Sequence, residues 1–297
     1  KINKIAASRA LNRRHFLATM GMAGAAAGAG LMSGCTTTSN VAVATTPGSG
    51  QTNILAFALN LEYLEATFYA YLTTGGDLPS SATYGSGAVT GAPAALSVSG
   101  AMTQQIVDLL NEIYYDELNH VTFLRNILGS AAVPRPAINL AAYGAITATN
   151  ALSIARLLED VGVTAYASAL TGLTTSNATY TAQILGTESF HSGALRLLSI
   201  QNPSIAAYVS AGDGLDVPPA DLGSAAAEAA GPTAAGGFFS STGGSVAASN
   251  TGTGISYART TSQVLAVLYG GVGTLAAAGT NSGGFFPKGV NGSINTI

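Results

Sequence analysis

The stretch "YYDELNHVTFL", residues 114–124, lies in a continuous apolar run of helical period. It carries Asp116, Glu117 and His120 in a chain of which only 8% is charged. Residues i and i+3 on a helix lie about 60° apart around the axis and about 4.5 Å apart along it. Glu117 and His120 therefore address the same point in space. Ile113, Leu110, Leu124 and Ile127 form an apolar stripe on their side of the helix, which places the pair toward a core.

The pattern recurs once. "ESFH", residues 188–191, repeats the spacing with Glu188 and His191, on a stripe made by Ile184, Leu195 and Leu198. The chain has three histidines, and these two are the only ones beyond the N-terminal segment. Two lone glutamates complete the set. Glu62 is flanked by Leu55, Ala58, Leu59 and Tyr69, and Glu159 by Leu152, Ala155, Val163 and Tyr166. Unpaired carboxylates in a core cost several kcal/mol each and repel one another. Two metal ions neutralise them and occupy their lone pairs. Four carboxylates and two imidazoles suit iron or manganese, and zinc accepts the same donor types. One Glu from each of two helices with a Glu-x-x-His from each of two more is the ligand set of carboxylate-bridged di-metal bundles.

Glu65 lies on the inward side with Glu62. We expect Glu62 to ligate, because Tyr69 follows it by seven residues as Tyr166 follows Glu159. Glu65 is then an acceptor behind the ligands, an alternative ligand or a proton carrier. Tyr69 and Tyr166 are hydrogen-bonding candidates around the site, or plain core aromatics. Asp108, Glu112 and Asp116 are assigned to the solvated face of their helix, Asp160 is expected to be exposed, with a place behind the ligands as the alternative, and Arg125, Arg156 and Arg196 are expected to be ion-pair partners.

Around these residues the spacing predicts four helices, over 52–72 with Thr52 or Asn53 as N-cap, 101–128, 149–170 and 177–201. A Gly/Ser/Ala loop spans 73–100. "VPRPAINLAAYG" is read as irregular because two close prolines oppose helix. The expected fold is all-α, an antiparallel four-helix bundle over 51–201. A Gly/Ala/Ser-rich extension, 202–297, carries a fifth helix near 258–270 and is expected to wrap the bundle and bury Phe238, Phe239, Phe285 and Phe286.

The N-terminus has a different character. "LNRRHFLATMGMAGAAAGAGLMSGC" joins a twin-arginine pair to a weakly apolar Gly/Ala region ending in Cys35, the only cysteine. It resembles a Tat signal followed by a lipobox over residues 1–35, with 36–50 as a flexible tether. The resemblance implies export to the periplasm or cell surface, with a lipid anchor at Cys35 as the only membrane attachment. Beyond residue 14, six basic residues face fourteen acidic ones, which argues against nucleic acid as a partner.

"FALNLEYLEATFY", "DELNH", "LLEDVGVTAY" and "ESFH" together resemble the ferritin-like superfamily. With the ending "RTTSQVLAVLYGG…GGFFPKGVNG", the chain is similar to its secreted bacterial and desiccation-related members over roughly 52–297. The resemblance implies a di-iron or di-manganese centre. Glu117 and Glu188 would bridge or chelate, Glu62 and Glu159 would be terminal, and His120 and His191 would each hold one metal. It leaves open a ferroxidase, peroxidase or catalase-like enzyme acting on oxygen, peroxide or Fe(II), and a non-enzymatic envelope or stress-protection protein. It is compatible with a homodimer.

Overall fold

A computed structural model describes residues 48–202 and 258–297, apart from positions 84, 86 and 273. The chain is all-α in its main architecture. Four long helices form the bundle: α1 (Ser49–Thr74), α2 (Gln104–Leu128), α3 (Ala151–Ala169) and α4 (Thr175–Gln201). A short fifth, α5 (Thr261–Leu268), packs on α3. Within the bundle α1 packs chiefly on α2 and α3 on α4, and the pairs meet through α1 with α3 and through α2 with α4. In the second pair Asp160 meets Arg196 while Gly162 lies beside Glu188, so α3 and α4 run antiparallel.

The first helix begins three residues before the expected 52–72 span. Gly48 occupies its N-cap position without a side-chain cap, and the Thr52 N–H already donates to the Gly48 carbonyl at 2.9 Å, so neither Thr52 nor Asn53 caps it. The first turn is exposed to half-buried and is tied down by Gln51, whose Oε1 accepts from the Thr174 N–H at 3.0 Å and from Thr174 Oγ1 and Asn177 Nδ2 at 2.9 Å. At its other end Gly75 adopts φ 71°, a left-handed conformation that glycine reaches without strain, and its N–H closes on the Tyr71 carbonyl at 3.0 Å. The other long helices fall within three residues of their expected ends. The helix α5 is shorter than expected and carries a full capping box, in which Thr260 and Gln263 satisfy each other's backbone N–H groups.

The segments joining α1 to α2 and α2 to α3 meet in a two-stranded parallel sheet, β1 (Val89–Thr90) with β2 (Ile138–Asn139), in register Val89 to Ile138. The "VPRPAINLAAYG" segment thus contains a short strand where irregular chain was expected. The prolines confine Arg135 between them, and its guanidinium, 2% exposed, binds Asp77 in a bidentate pair and the Gly87 carbonyl at 3.0 Å. This pair draws the two connections together and lets the following residues align.

The C-terminal residues 258–297 supply part of the core. Phe285 and Phe286 are fully buried, as expected, whereas Phe238 and Phe239 lie outside the described residues. Phe285 stacks on Tyr143 at 5.1 Å, and its carbonyl accepts the Asn139 N–H. Asn60, buried in α1, accepts the Asn291 N–H and donates to the Asn291 carbonyl, both at 2.9 Å. No helix among the described residues is long and apolar enough to cross a membrane. Residues 1–47, with the twin arginines and Cys35, lie outside the described residues.

Candidate metal centre

Each long helix contributes to one buried cluster at the middle of the bundle. Glu62 comes from α1, Glu117 and His120 from α2, Glu159 from α3, and Glu188 and His191 from α4. All are buried, the four glutamates completely so. They form two groups: Glu62, Glu117, His120 and Glu188 on one side, and Glu117, Glu159, Glu188 and His191 on the other. Within each group one donor atom from every residue lies within 4.8 Å of the rest. Glu117 and Glu188 are common to both.

The histidines organise the halves. His120 Nδ1 lies 3.2 Å from both Glu62 Oε2 and Glu117 Oε2, and 3.4 Å from Glu188 Oε1. His191 Nδ1 lies 2.9 Å from Glu117 Oε1 and 3.1 Å from Glu159 Oε2. The rings are 6.5 Å apart between centroids.

The tyrosines cross over. Tyr166, on α3, donates to Glu62 on α1, and Tyr69, on α1, stands beside Glu159 on α3 without reaching hydrogen-bonding geometry. The seven-residue spacing therefore brings each tyrosine to the opposite helix's glutamate, not its own, and Tyr166 bonds the one it meets. Burial, and then the Glu159 charge on Tyr69 and the Glu62 charge on Tyr166, push both phenols well up.

The electrostatics are those of an unfilled charge balance. Burial pushes Glu62 up to about 7 against the pull of His120. Burial likewise raises Glu188 and Glu65 well above the usual carboxylate range, with neighbouring carboxylates adding to it. Glu117 goes the other way, since its burial is outweighed by His120 and His191. Burial opposes charge on the imidazoles, but the carboxylates outweigh it. Glu62 and Glu117 raise His120, and Glu159 and Glu117 push His191 up to about 12. Even so, Glu159 Oε1 and Glu188 Oε2 have no hydrogen-bond partner among the described residues, and Glu62 Oε2, Glu117 Oε1 and Glu188 Oε1 each face only an imidazole nitrogen that other carboxylates share. Buried polar atoms are ordinarily partnered, so these oxygens are donor sites for a cation. The residues fit a pair of metal ions on that ground.

Several residues depart from their expected places. Asp160 is not exposed. It is 2% exposed, accepts from Ser192 Oγ at 2.6 Å and Arg196 Nη2 at 2.7 Å, and has Arg156 Nε at 3.5 Å. Two guanidiniums and a hydroxyl compensate the buried charge, which exposure alone would otherwise solve. Arg156 and Arg196 are thus its partners, and Arg125 donates to the Tyr63 hydroxyl at 3.0 Å. Asp108 and Glu112 are exposed as expected. Asp116 is only half-exposed, and its Oδ2 lies 3.2 Å from His191 Nε2, so it belongs to the site. Its position next to Glu117 in sequence was the available signal. Gly162 was not singled out, yet it adjoins the Glu188 carboxylate, one turn after Glu159. Arg259 was also missed. Fully buried, it donates to the Asp160 carbonyl at 3.3 Å and to Thr164 Oγ1 at 2.7 Å.

Among known proteins, a family described as a ferritin-like domain matches residues 50–201. No curated protein and no solved structure matches the chain significantly. A match over half of the chain, together with a helical bundle whose four long helices converge on a buried Glu/His cluster, makes this chain a member of the ferritin-like domain family.

Proposed function

We propose that this is an exported redox protein whose di-metal centre, iron or manganese, reacts with oxygen or peroxide, either oxidising Fe(II) or removing peroxide. The carrying observation is the pair of buried four-residue groups sharing Glu117 and Glu188, with Glu159 Oε1 and Glu188 Oε2 unpartnered among the described residues. Glu117 and Glu188 are the shared carboxylates, Glu62 and Glu159 the terminal ones, and His120 and His191 each serve one metal position. Such a metal pair, when bound, supplies electrons to oxygen or peroxide and a Lewis-acidic site for them. The chain's own residues hold it. Tyr166 orients Glu62, and Asp116 orients His191. The surrounding apolar residues of all four helices keep bulk water away. The twin-arginine and "LMSGC" patterns support export with a lipid anchor at Cys35.

Metal analysis of protein matured in its own compartment, joined to Fe(II)-oxidation and peroxide-removal assays, tests this reading. Bound iron or manganese with turnover that vanishes in a Glu117→Gln, His120→Ala double variant is the expected result. Protein free of iron and manganese overturns it. A second reading, an envelope or desiccation-protection protein with a structural metal site, is supported by the 8% charge content and the Gly-rich composition. Bound metal without any turnover in the wild type selects it.

A further inference from the structure

Glu65 belongs to neither four-residue group, yet it is 2% exposed, as buried as the residues that do. It follows Glu62 by one turn on α1, and its Oε2 has no hydrogen-bond partner among the described residues. A buried carboxyl serving only as a structural acceptor would be bonded. Its location is fixed by a residue on another helix. A Cβ placed on Gly162 of α3 would lie 3.1 Å from Glu65 Oε1 and would collide with Glu188 Oε2. Glu65 and Glu188 therefore converge on one bare patch of α3 backbone. Glu188 is shared by both metal-binding groups, so Glu65 arrives at their common edge.

Glycine in a helix interior costs stability relative to alanine, and Gly162 is absent from the glycines with positive φ, so conformational freedom does not explain it. The space does. The two lone-glutamate helices are complementary at this point: α1 reads Glu62-x-x-Glu65 and α3 reads Glu159-x-x-Gly162. Where one helix adds a carboxylate, the other removes a side chain.

We propose that Glu65 is a seventh protein ligand of the di-metal centre, admitted by the missing side chain of Gly162, and that its added charge biases the centre toward the trivalent metal pair. The inference rests on the di-metal reading above. Four carboxylates balance two divalent ions. A fifth exceeds them by one negative charge, an excess that oxidation of either ion relieves. The same charge favours iron or manganese, which reach the trivalent state, over zinc, which does not.

The test uses the full chain carrying Glu65→Gln, which keeps the shape and removes the charge, beside Glu65→Asp, which keeps the charge and shortens the reach. Iron and manganese per chain are measured by elemental analysis, and the midpoint potential by spectroelectrochemistry. The metal-free Glu65→Gln protein should melt above the wild type, because one buried acid is gone. With metal bound, Glu65→Gln should favour the reduced pair at least tenfold more than the wild type, about 59 mV for one electron, and Glu65→Asp, which keeps the charge but withdraws it from the metals, should shift the same way by less. Zinc should also compete better against iron in Glu65→Gln when the competition is run in air, so that bound iron is oxidised by oxygen. Two bound metals with an unchanged potential in Glu65→Gln, or with a shift in Glu65→Gln and none in Glu65→Asp, overturn the seventh ligand and leave the di-metal reading intact. A wild type that binds no metal overturns that reading instead.

Discussion

Asp116 Oδ2 stands 3.2 Å from His191 Nε2, which leaves the other ring nitrogen, Nδ1, facing Glu117 and Glu159. A carboxylate behind a histidine fixes its tautomer and raises its basicity as a ligand. The two halves of the site differ here. Thr187 precedes Glu188 as Asp116 precedes Glu117, but its hydroxyl donates to the Gln183 carbonyl at 3.4 Å. Asp116→Asn should therefore weaken metal binding by about 10–100-fold at the Glu159–His191 half while sparing the other. Calorimetric titration of the metal-free protein checks this: one binding step should weaken and the other should hold.

Asp160 is held by Arg196 and Ser192, with buried Arg156 beside it. Removing the carboxylate takes a buried negative charge away from both guanidiniums, of which Arg156 is 2% exposed. Asp160→Ala should destabilise the fold by about 3–5 kcal/mol. Denaturant unfolding of the metal-free protein measures it, and a loss below about 1 kcal/mol would contradict the assigned role.

The metal-free protein should be more stable at pH 5 than at pH 8. Glu62, Glu65, Glu159 and Glu188 hold their protons more firmly folded than unfolded. So do His120 and His191. For each, the stabilising contribution is complete below the unfolded value and is lost as pH rises toward the folded one. The glutamate losses begin near 4.5 and extend past 7; the histidine losses begin near 6.5 and, for His191, run to about 12. Glu117 has the opposite sign, but its contribution is lost only as pH falls below about 4.5. Melting temperature should fall steadily from pH 5 to 8 in the metal-free protein. The metal-loaded protein should show a flat or rising profile, because metal displaces those protons.

Phe285 is fully buried against Tyr143, and its backbone pairs with Leu268 and Asn139. Phe285→Ala should cost about 3–5 kcal/mol, the usual range for a buried aromatic truncated to alanine. Thermal and denaturant unfolding read this directly. If the C-terminal segment only drapes over a self-sufficient bundle, the variant will unfold like the wild type.

The helices were legible because their apolar residues repeat at 3.6-residue period over many turns, a local signal that packing reinforces. The cluster was legible for a related reason: in a core almost without charge, every inward carboxylate stands out. Asp160 and Asp116 were misplaced because their compensating partners, Arg196 and His191, lie on α4, far along the chain. The N-terminus of α1 was misplaced because its first turn is held by Gln51 on Thr174 and Asn177, far along the chain, and not by a side-chain cap.

The sequence by itself determined the helical class, the inward faces, and the Glu-x-x-His pairs, since each depends on spacing within one helix. Only the tertiary structure decided what crosses between helices. It set which glutamate each tyrosine faces and that Asp116 stands behind His191. It also revealed that Gly162 leaves room where Glu65 arrives. These depend on the rotation and register of helices packed against one another, which no single helix encodes.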